Sequence, residues 1–288
     1  MEALIEAWRH IPAHLSPYLF EIGSFQLRWY SLMYLAAFAC IYLLVMRRIR
    51  RENFPYTAEL IQDYFVWAIL GVILGGRLGY VFFYNLGYYL RHPLEIIFPF
   101  EFNGGLHFVG ISGMSYHGGA IAVLIATVIF CRNRGIDFWR FADLFSSAIP
   151  LGYTFGRIGN FINGELYGRA TDVLWGMVFP LDPLHLLRHP SQLYEAFFEG
   201  IVLFAVLWVV RKRFPFTGAL FAFYIIGYGV VRFFIEFFRE PDVQLGFVLG
   251  PFSMGQLLCL LMILAGAAIY ALRSKWGKRG EGAPVAQA

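Results

Sequence analysis

Charge is what this chain has least of. Of its 288 residues only 15% are Asp, Glu, Lys or Arg, whereas 59% are hydrophobic and 19% aromatic. Soluble domains carry about 25% charged residues, so a water-soluble protein is excluded, and a mean hydropathy of +0.60 describes a polytopic membrane protein. Cysteine is scarce too: Cys40, Cys131 and Cys259 each lie within or at the edge of an apolar run, which excludes a disulfide framework and metal-type pairing and leaves small hydrophobes. A cleavable leader is not expected, because Glu2 and Glu6 stand where a positive segment belongs and no small-residue cleavage site follows. Leu4, Ile5 and Trp8 instead predict a short helix lying on the membrane surface. There is no internal repeat, and the last dozen residues read as a disordered tail.

The apolar runs are long. A span needs about 20 apolar residues to cross roughly 30 Å of hydrocarbon, and candidates fall at 29–46, 64–84, 117–131, 141–159, 193–210, 218–238 and 252–272, the third and fourth being short or interrupted. The net charge of +4 does not point to nucleic acid, because the basic residues cluster at the ends of these runs. Arg47, Arg48, Arg50 and Arg51 end the first span, Arg132 and Arg134 the third, Arg211, Lys212 and Arg213 the fifth, and Arg273, Lys275, Lys278 and Arg279 the seventh. By the positive-inside rule every odd-numbered span ends in the cytoplasm and the N-terminus lies outside. The expected fold is all-α, with seven transmembrane helices, a small extracytoplasmic head and interfacial arms. The whole of 1–288 reads as one membrane-embedded catalytic domain: an outer interfacial segment (1–28), spans one to four (29–160), the head (161–192), spans five to seven (193–272) and a cytoplasmic tail (273–288). In the second span Gly71, Gly75 and Gly79 form a close-packing ridge, with Arg77 on another face as a structural residue or an anion contact.

The polar residues that do occur are concentrated. After the apolar run Phe141 to Leu151 the chain reads G-Y-T-F-G-R-I-G-N-F-I-N-G-E-L-Y-G-R from Gly152 to Arg169. Arg157, Asn160, Asn163 and Glu165 are costly at membrane depth unless they face a wet or paired interior, so they mark a functional site; a snorkelling Arg on a packing helix is the alternative. Gly152, Gly156 and Gly159 share a face that lets a second backbone approach. In the sixth span Tyr228, Arg232, Glu236 and Arg239 are spaced four, four and three apart, one stripe of an otherwise apolar helix. An internal Arg232–Glu236 pair explains part of it, and Arg239 leaves a surplus positive charge that favours an anionic ligand. Arg157 and Arg232 then offer guanidinium forks from two spans to one phosphate. His117, in M-S-Y-H-G-G at the top of the third span, is a candidate general base, with flanking glycines that admit a substrate; a capping or interfacial histidine is the alternative. His92 and His189, each before a proline, read as turn residues.

Taken in order, H-G-G, G-R-I-G-N-F-I-N-G-E, R-H-P-S-Q-L-Y-E and G-Y-G-x-x-R-x-x-x-E-F-F-R-x-P-D run along almost the whole chain, and together they resemble the bacterial prolipoprotein diacylglyceryl transferases. The resemblance implies seven spans in the bacterial plasma membrane, an active site toward the outer leaflet, and transfer of the diacylglyceryl group of phosphatidylglycerol to the lipobox cysteine of a preprolipoprotein, with release of glycerol phosphate. It implies no cofactor and no metal, and substrate-binding or catalytic roles for Tyr30, His117, Arg157, Asn160, Glu165, Tyr228, Arg232 and Glu236, to which the residue stripe adds Arg239. In this scheme Glu165 and Glu236 hold the arginines. The loop before Met114 departs from the family's Trp-Asp-Gly-Gly, having Gly110-Ile111-Ser112-Gly113. Those four residues also spell the G-x-S-G of an intramembrane serine protease, and an anion or lipid transporter is a second rival, although matched broken halves are absent from the sequence.

Overall fold

The computed structural model describes residues 2–22, 25–96, 100–101, 107–108, 114–240, 247–250 and 252–276. Helices dominate: α1 (Glu2–Arg9), α2 (Trp29–Glu52), α3 (Ala58–Tyr84), α4 (Tyr116–Asn133), α5 (Phe138–Ser146), α6 (Ile149–Ile162), α7 (Ser191–Val210), α8 (Ala219–Ile235) and α9 (Met254–Trp276). Of these, α2, α3, α7 and α9 are long and apolar enough to cross a membrane, and shorter apolar helices run over His117–Asn133 and Ala219–Ile235. Among the described residues four hairpins with strands of two to five residues punctuate the connections, among them Tyr18–Ile22 with Phe25–Arg28 and Met177–Val178 with Leu187–Arg188. The all-α expectation misses most of them because strands of two or three residues are too short to carry a period-two pattern, and it passes over the alternation of Phe25-Gln26-Leu27-Arg28.

The chain forms two compact units, Glu52–Phe141 and the remainder, Met1–Arg51 with Ala142–Ala288. In the first, α3 starts where the Thr57 hydroxyl accepts from the Leu60 amide at 3.2 Å, and α4 where the Ser115 hydroxyl accepts from the Gly118 amide at 3.2 Å. The two helices pack through glycine: a Cβ on Gly79 would lie 2.7 Å from the Gly118 Cα, and one on Gly75 would lie 2.6 Å from the Gly118 carbonyl oxygen. Gly118 therefore serves helix packing rather than substrate access, which corrects the sequence expectation. Gly79→Val is expected to cost about 1–3 kcal/mol of stability, since both sides of the contact are backbone that cannot yield; thermal unfolding in detergent measures it. Arg77 is structural: its guanidinium donates to the Ile96 carbonyl at 3.0 Å and to that of Glu95, and lies over the Tyr89 ring.

In the larger unit the run 141–159 is not one helix. It breaks between α5 and α6 around Ser147 and Ala148, with Pro150 in the first turn of α6, where a missing N–H costs nothing. Arg48 resolves the break. Almost fully buried, it donates at 2.7 Å to the carbonyls of Asp143 and Leu144 and at 3.1 Å to the Ser147 hydroxyl, satisfying acceptors that a helix end leaves open. It is thus an internal C-terminal cap rather than one more exposed charge of its basic cluster. The freed Asp143 carboxylate caps another helix, accepting from the Gly218 and Phe221 amides at 2.7 and 2.8 Å, a negative charge at the N-terminus of α8.

Between α6 and α7 lies a small packed module built on Phe161, Met177 and Phe179, with Ile11, Leu15, Tyr167 and Leu193 against them. Trp8 of α1 donates to the Trp175 carbonyl at 3.0 Å. Its interior charge is a fork: Arg188 donates through Nε and one terminal nitrogen to both oxygens of Asp182, at 2.8 and 3.0 Å, and through the other to Glu240 at 3.2 Å. Hydrogen bonding from Arg188 holds the Asp182 carboxyl below its usual value, while burial lowers that of His189. A carboxyl lowered in the folded state stabilises fully above its ordinary value of 3.8 and loses that contribution as pH falls through the folded value. Asp182→Asn is therefore expected to cost about 3 kcal/mol near neutrality and to flatten the acid limb; thermal unfolding of variant and parent from pH 7 down to pH 3 tests both.

Candidate active site

α6 and α7 are held close at Gly200, where a Cβ would strike the Thr154 hydroxyl, itself 3.2 Å from the Ala196 carbonyl. Along this contact, Glu195–Val202, α7 widens into a π-helical stretch, a local loosening that recurs at functional sites. Glu195 and Glu199, four residues apart, are both fully buried there.

Glu195 is the hub. One carboxylate oxygen, Oε2, accepts from Arg232 of α8 at 2.7 Å and from the Tyr153 hydroxyl at 3.1 Å and forms an ion pair with Arg157 Nε of α6 at 2.8 Å; the other, Oε1, accepts from Arg239 at 3.0 Å. Arg232 also reaches Glu199 at 3.4 Å and Glu236 at 3.3 Å, and Arg239 reaches Glu236 at 3.4 Å. Arg157 lies over the Tyr153 ring, whose hydroxyl it meets at 2.6 Å, and the Tyr228 ring stands edge-on to Tyr153. Three guanidinium groups thus face three carboxylates. The surplus positive charge expected from Arg239 is not there, because α7 brings Glu195 and Glu199 to the arginines. The expected Arg232–Glu236 pair is present, as one edge of a larger network.

Around this network the polar stretch after α6 is fastened by the second motif. Ser191 donates to the Leu166 carbonyl at 3.0 Å and Gln192 to that of Glu165 at 2.6 Å, which holds Leu166 at a φ of 59°, a conformation that side chains other than glycine rarely adopt. Contrary to expectation, among the described residues the Glu165 carboxylate holds no arginine but accepts from Asn160 at 2.7 Å and Asn163 at 3.3 Å; Asn160 in turn accepts from Arg157 at 3.3 Å. Its reach to the cluster is therefore indirect. Arg169 donates to the Arg239 carbonyl at 2.7 Å, and its amide to that of Phe238 at 2.9 Å, strapping the loop to the end of α8. Tyr30 stands across α6, its ring 3.0 Å from where a Gly159 Cβ would lie and its hydroxyl 3.1 Å from that of Tyr34. Gly152 likewise faces Ile41 and Ala37 of α2, whereas beside Gly156, next to Arg157, a Cβ would meet nothing within 4 Å. The glycine face therefore touches its neighbour at its ends and leaves space in the middle.

His117 lies in the first turn of α4, exposed, in the Glu52–Phe141 unit; the other candidates belong to the larger unit. Gly110-Ile111-Ser112-Gly113, most of the altered 101–113 loop and the terminal tail fall outside the described residues. Sequence reasoning missed Tyr153, Glu195 and Glu199. The signal was available: two glutamates four apart in an apolar span are as costly there as the arginines that were noticed.

A sequence profile of prolipoprotein diacylglyceryl transferases matches residues 17–272. The chain is 54% identical over 280 residues to the phosphatidylglycerol–prolipoprotein diacylglyceryl transferase of Chlorobaculum tepidum, covering 96% of each. It is 47% identical over 262 residues to that of Geobacter sulfurreducens (91% of this chain, 96% of the relative), and 44% over 270 residues to that of Wolinella succinogenes (93% and 97%). With a family match along most of its length and relatives this similar end to end, the chain belongs to the prolipoprotein diacylglyceryl transferase family.

Proposed function

We infer that the chain transfers the diacylglyceryl group of phosphatidylglycerol to the lipobox cysteine thiol of a preprolipoprotein, forming a thioether and releasing glycerol phosphate. The observation that supports the site most directly is the meeting of Arg157 and Arg232, from two helices, on one oxygen of Glu195, with Arg239 on the other. Each guanidinium has five N–H donors, so donors remain for a lipid phosphate once the carboxylates are served. Sulfur attacks the glycerol carbon, the C–O bond to phosphate breaks, and the electron pair passes to the phosphate oxygen. In a water-poor pocket, Arg157 and Arg232 stabilise that developing charge. Asn160, Tyr228 and Tyr30 orient the head group, Glu236 positions Arg232 and Arg239, and Glu165 acts through the asparagines. A free thiol with a pKa near 8.5 needs a base or positive surroundings, supplied by His117 or, less directly, by the arginines. In this reading seven spans cross the bacterial plasma membrane, the N-terminus and the module between α6 and α7 lie outside, and the reaction takes place near the outer leaflet.

The test is direct: purified protein, phosphatidylglycerol vesicles and a lipobox peptide, followed by mass spectrometry. The expected product is a peptide carrying diacylglycerol on sulfur, together with glycerol phosphate. Unmodified peptide after prolonged incubation with folded protein would refute the assignment.

A further inference from the structure

The three buried carboxylates are not held alike. Glu195 uses both oxygens, on three arginines and a tyrosine. Glu236 accepts from the Ser253 hydroxyl at 3.1 Å through Oε1, and its Oε2, which also has no hydrogen-bond partner among the described residues, is ion-paired with Arg232 and Arg239 at 3.3 and 3.4 Å. Glu199, equally buried, has one arginine contact, at 3.4 Å through Oε1, and among the described residues its Oε2 has no hydrogen-bond partner. Its surroundings are Arg232 on α8, Arg157 and Tyr153 on α6, Glu195 on its own helix and Cys259 on α9.

The charge count gives this difference a consequence. With all six groups ionised, Arg157, Arg232 and Arg239 are matched by Glu195, Glu199 and Glu236, and the network has no net charge to offer a lipid. A phosphodiester bound among these groups adds one negative charge, and an uncompensated charge out of water is strongly disfavoured. Either the phosphate is excluded or one carboxylate gives up its charge. We propose that Glu199 is the compensating group: it accepts a proton from solvent when the lipid phosphate enters, releasing its share of Arg232 to the phosphate and donating through Oε2 as a neutral acid. Glu199 is thus a positioning residue, acting through Arg232. The proposal rests on the phosphatidylglycerol reading above and adds to it a proton that travels with the lipid.

The experiment needs no turnover. Phosphatidylglycerol in detergent micelles is titrated calorimetrically into full-length protein without acceptor peptide, at one pH in buffers of different ionisation enthalpy such as Tris and HEPES, with diacylglycerol as the phosphate-free control. Uptake of close to one proton per phosphatidylglycerol and none with diacylglycerol is expected, with a Kd that rises about tenfold per pH unit once Glu199 is ionised in the free protein. Glu199→Gln, which mimics the neutral acid, is expected to bind without proton uptake and with a Kd flat in pH. Binding by the wild type with no proton uptake overturns the proposal whether or not the variant folds, as does undiminished uptake in folded Glu199→Gln. Failure of the wild type to bind phosphatidylglycerol at all overturns the phosphate-site reading, and the proposal with it.

Discussion

Glu195→Ala is expected to destabilise the protein by about 3–5 kcal/mol and to abolish transfer. The side chain is fully buried and receives Arg157, Arg232 and Arg239 together. Removing one partner of a buried ionic network leaves the others uncompensated, which is the costly way to break such a pair. Glu199 and Glu236 cannot make up the loss, since neither contacts Arg157 in an ion pair among the described residues, and Arg232 already uses both. Glu195→Gln separates shape from charge: the amide keeps one acceptor in place, so much of the fold survives, but the guanidinium groups lose the charge that aligns them. A shift of about 1 Å in such groups is enough to lower turnover about a hundredfold. Thermal unfolding in detergent reads the first effect and single-turnover formation of diacylglyceryl peptide the second. A Glu195→Ala protein that melted and reacted like the parent would show that the network is incidental to both.

How much of this was legible beforehand depends on which physical rule each residue obeys. The apolar spans follow from length and hydropathy, and the glycine ridge of α3 from spacing, so Gly75 and Gly79 meet a partner helix as expected. Arg157, Arg232 and Glu236 were visible because charge in an apolar helix is rare. What spacing does not reveal is partnership between distant segments. Nothing local says that Glu195 lies between Arg157 and Arg232, or that Arg48 closes the end of a helix about a hundred residues away. The break in 141–159 was hidden for the same reason: Pro150 hints at a helix start, but only Arg48, reaching the Asp143 and Leu144 carbonyls from α2, makes a stable end there. Gly118 was misread because a glycine beside a candidate histidine suits access and packing equally, and only the opposing backbone decides. The scheme in which Glu165 holds an arginine fails because its carboxylate turns back on Asn160 and Asn163, a local pairing that the polar stretch alone does not single out.

Arg157→Ala and Arg232→Ala are each expected to lower turnover about a hundredfold to a thousandfold, the range seen when a group that stabilises developing charge is removed. If both arginines act mainly on the phosphate as the C–O bond breaks, the loss falls on kcat, with KM changed much less. Lysine should restore little, because a point charge cannot serve Glu195 and a phosphate at once as a planar fork does. Arg157 already divides itself among Glu195, Tyr153 and Asn160, and Arg232 among Glu195, Glu199 and Glu236. The double variant should therefore fall short of the product of the single effects, since each arginine sets the position of the other through the same carboxylate oxygen. Arg239, which reaches Glu195 on its other oxygen, is the comparison: with no share in Oε2, its loss should weaken lipid binding more than the chemical step. Single-turnover rates at saturating phosphatidylglycerol, measured well below each variant's melting temperature, separate these outcomes. Full activity in folded Arg157→Ala and Arg232→Ala would move the phosphate elsewhere in the protein and leave the buried network a purely structural role.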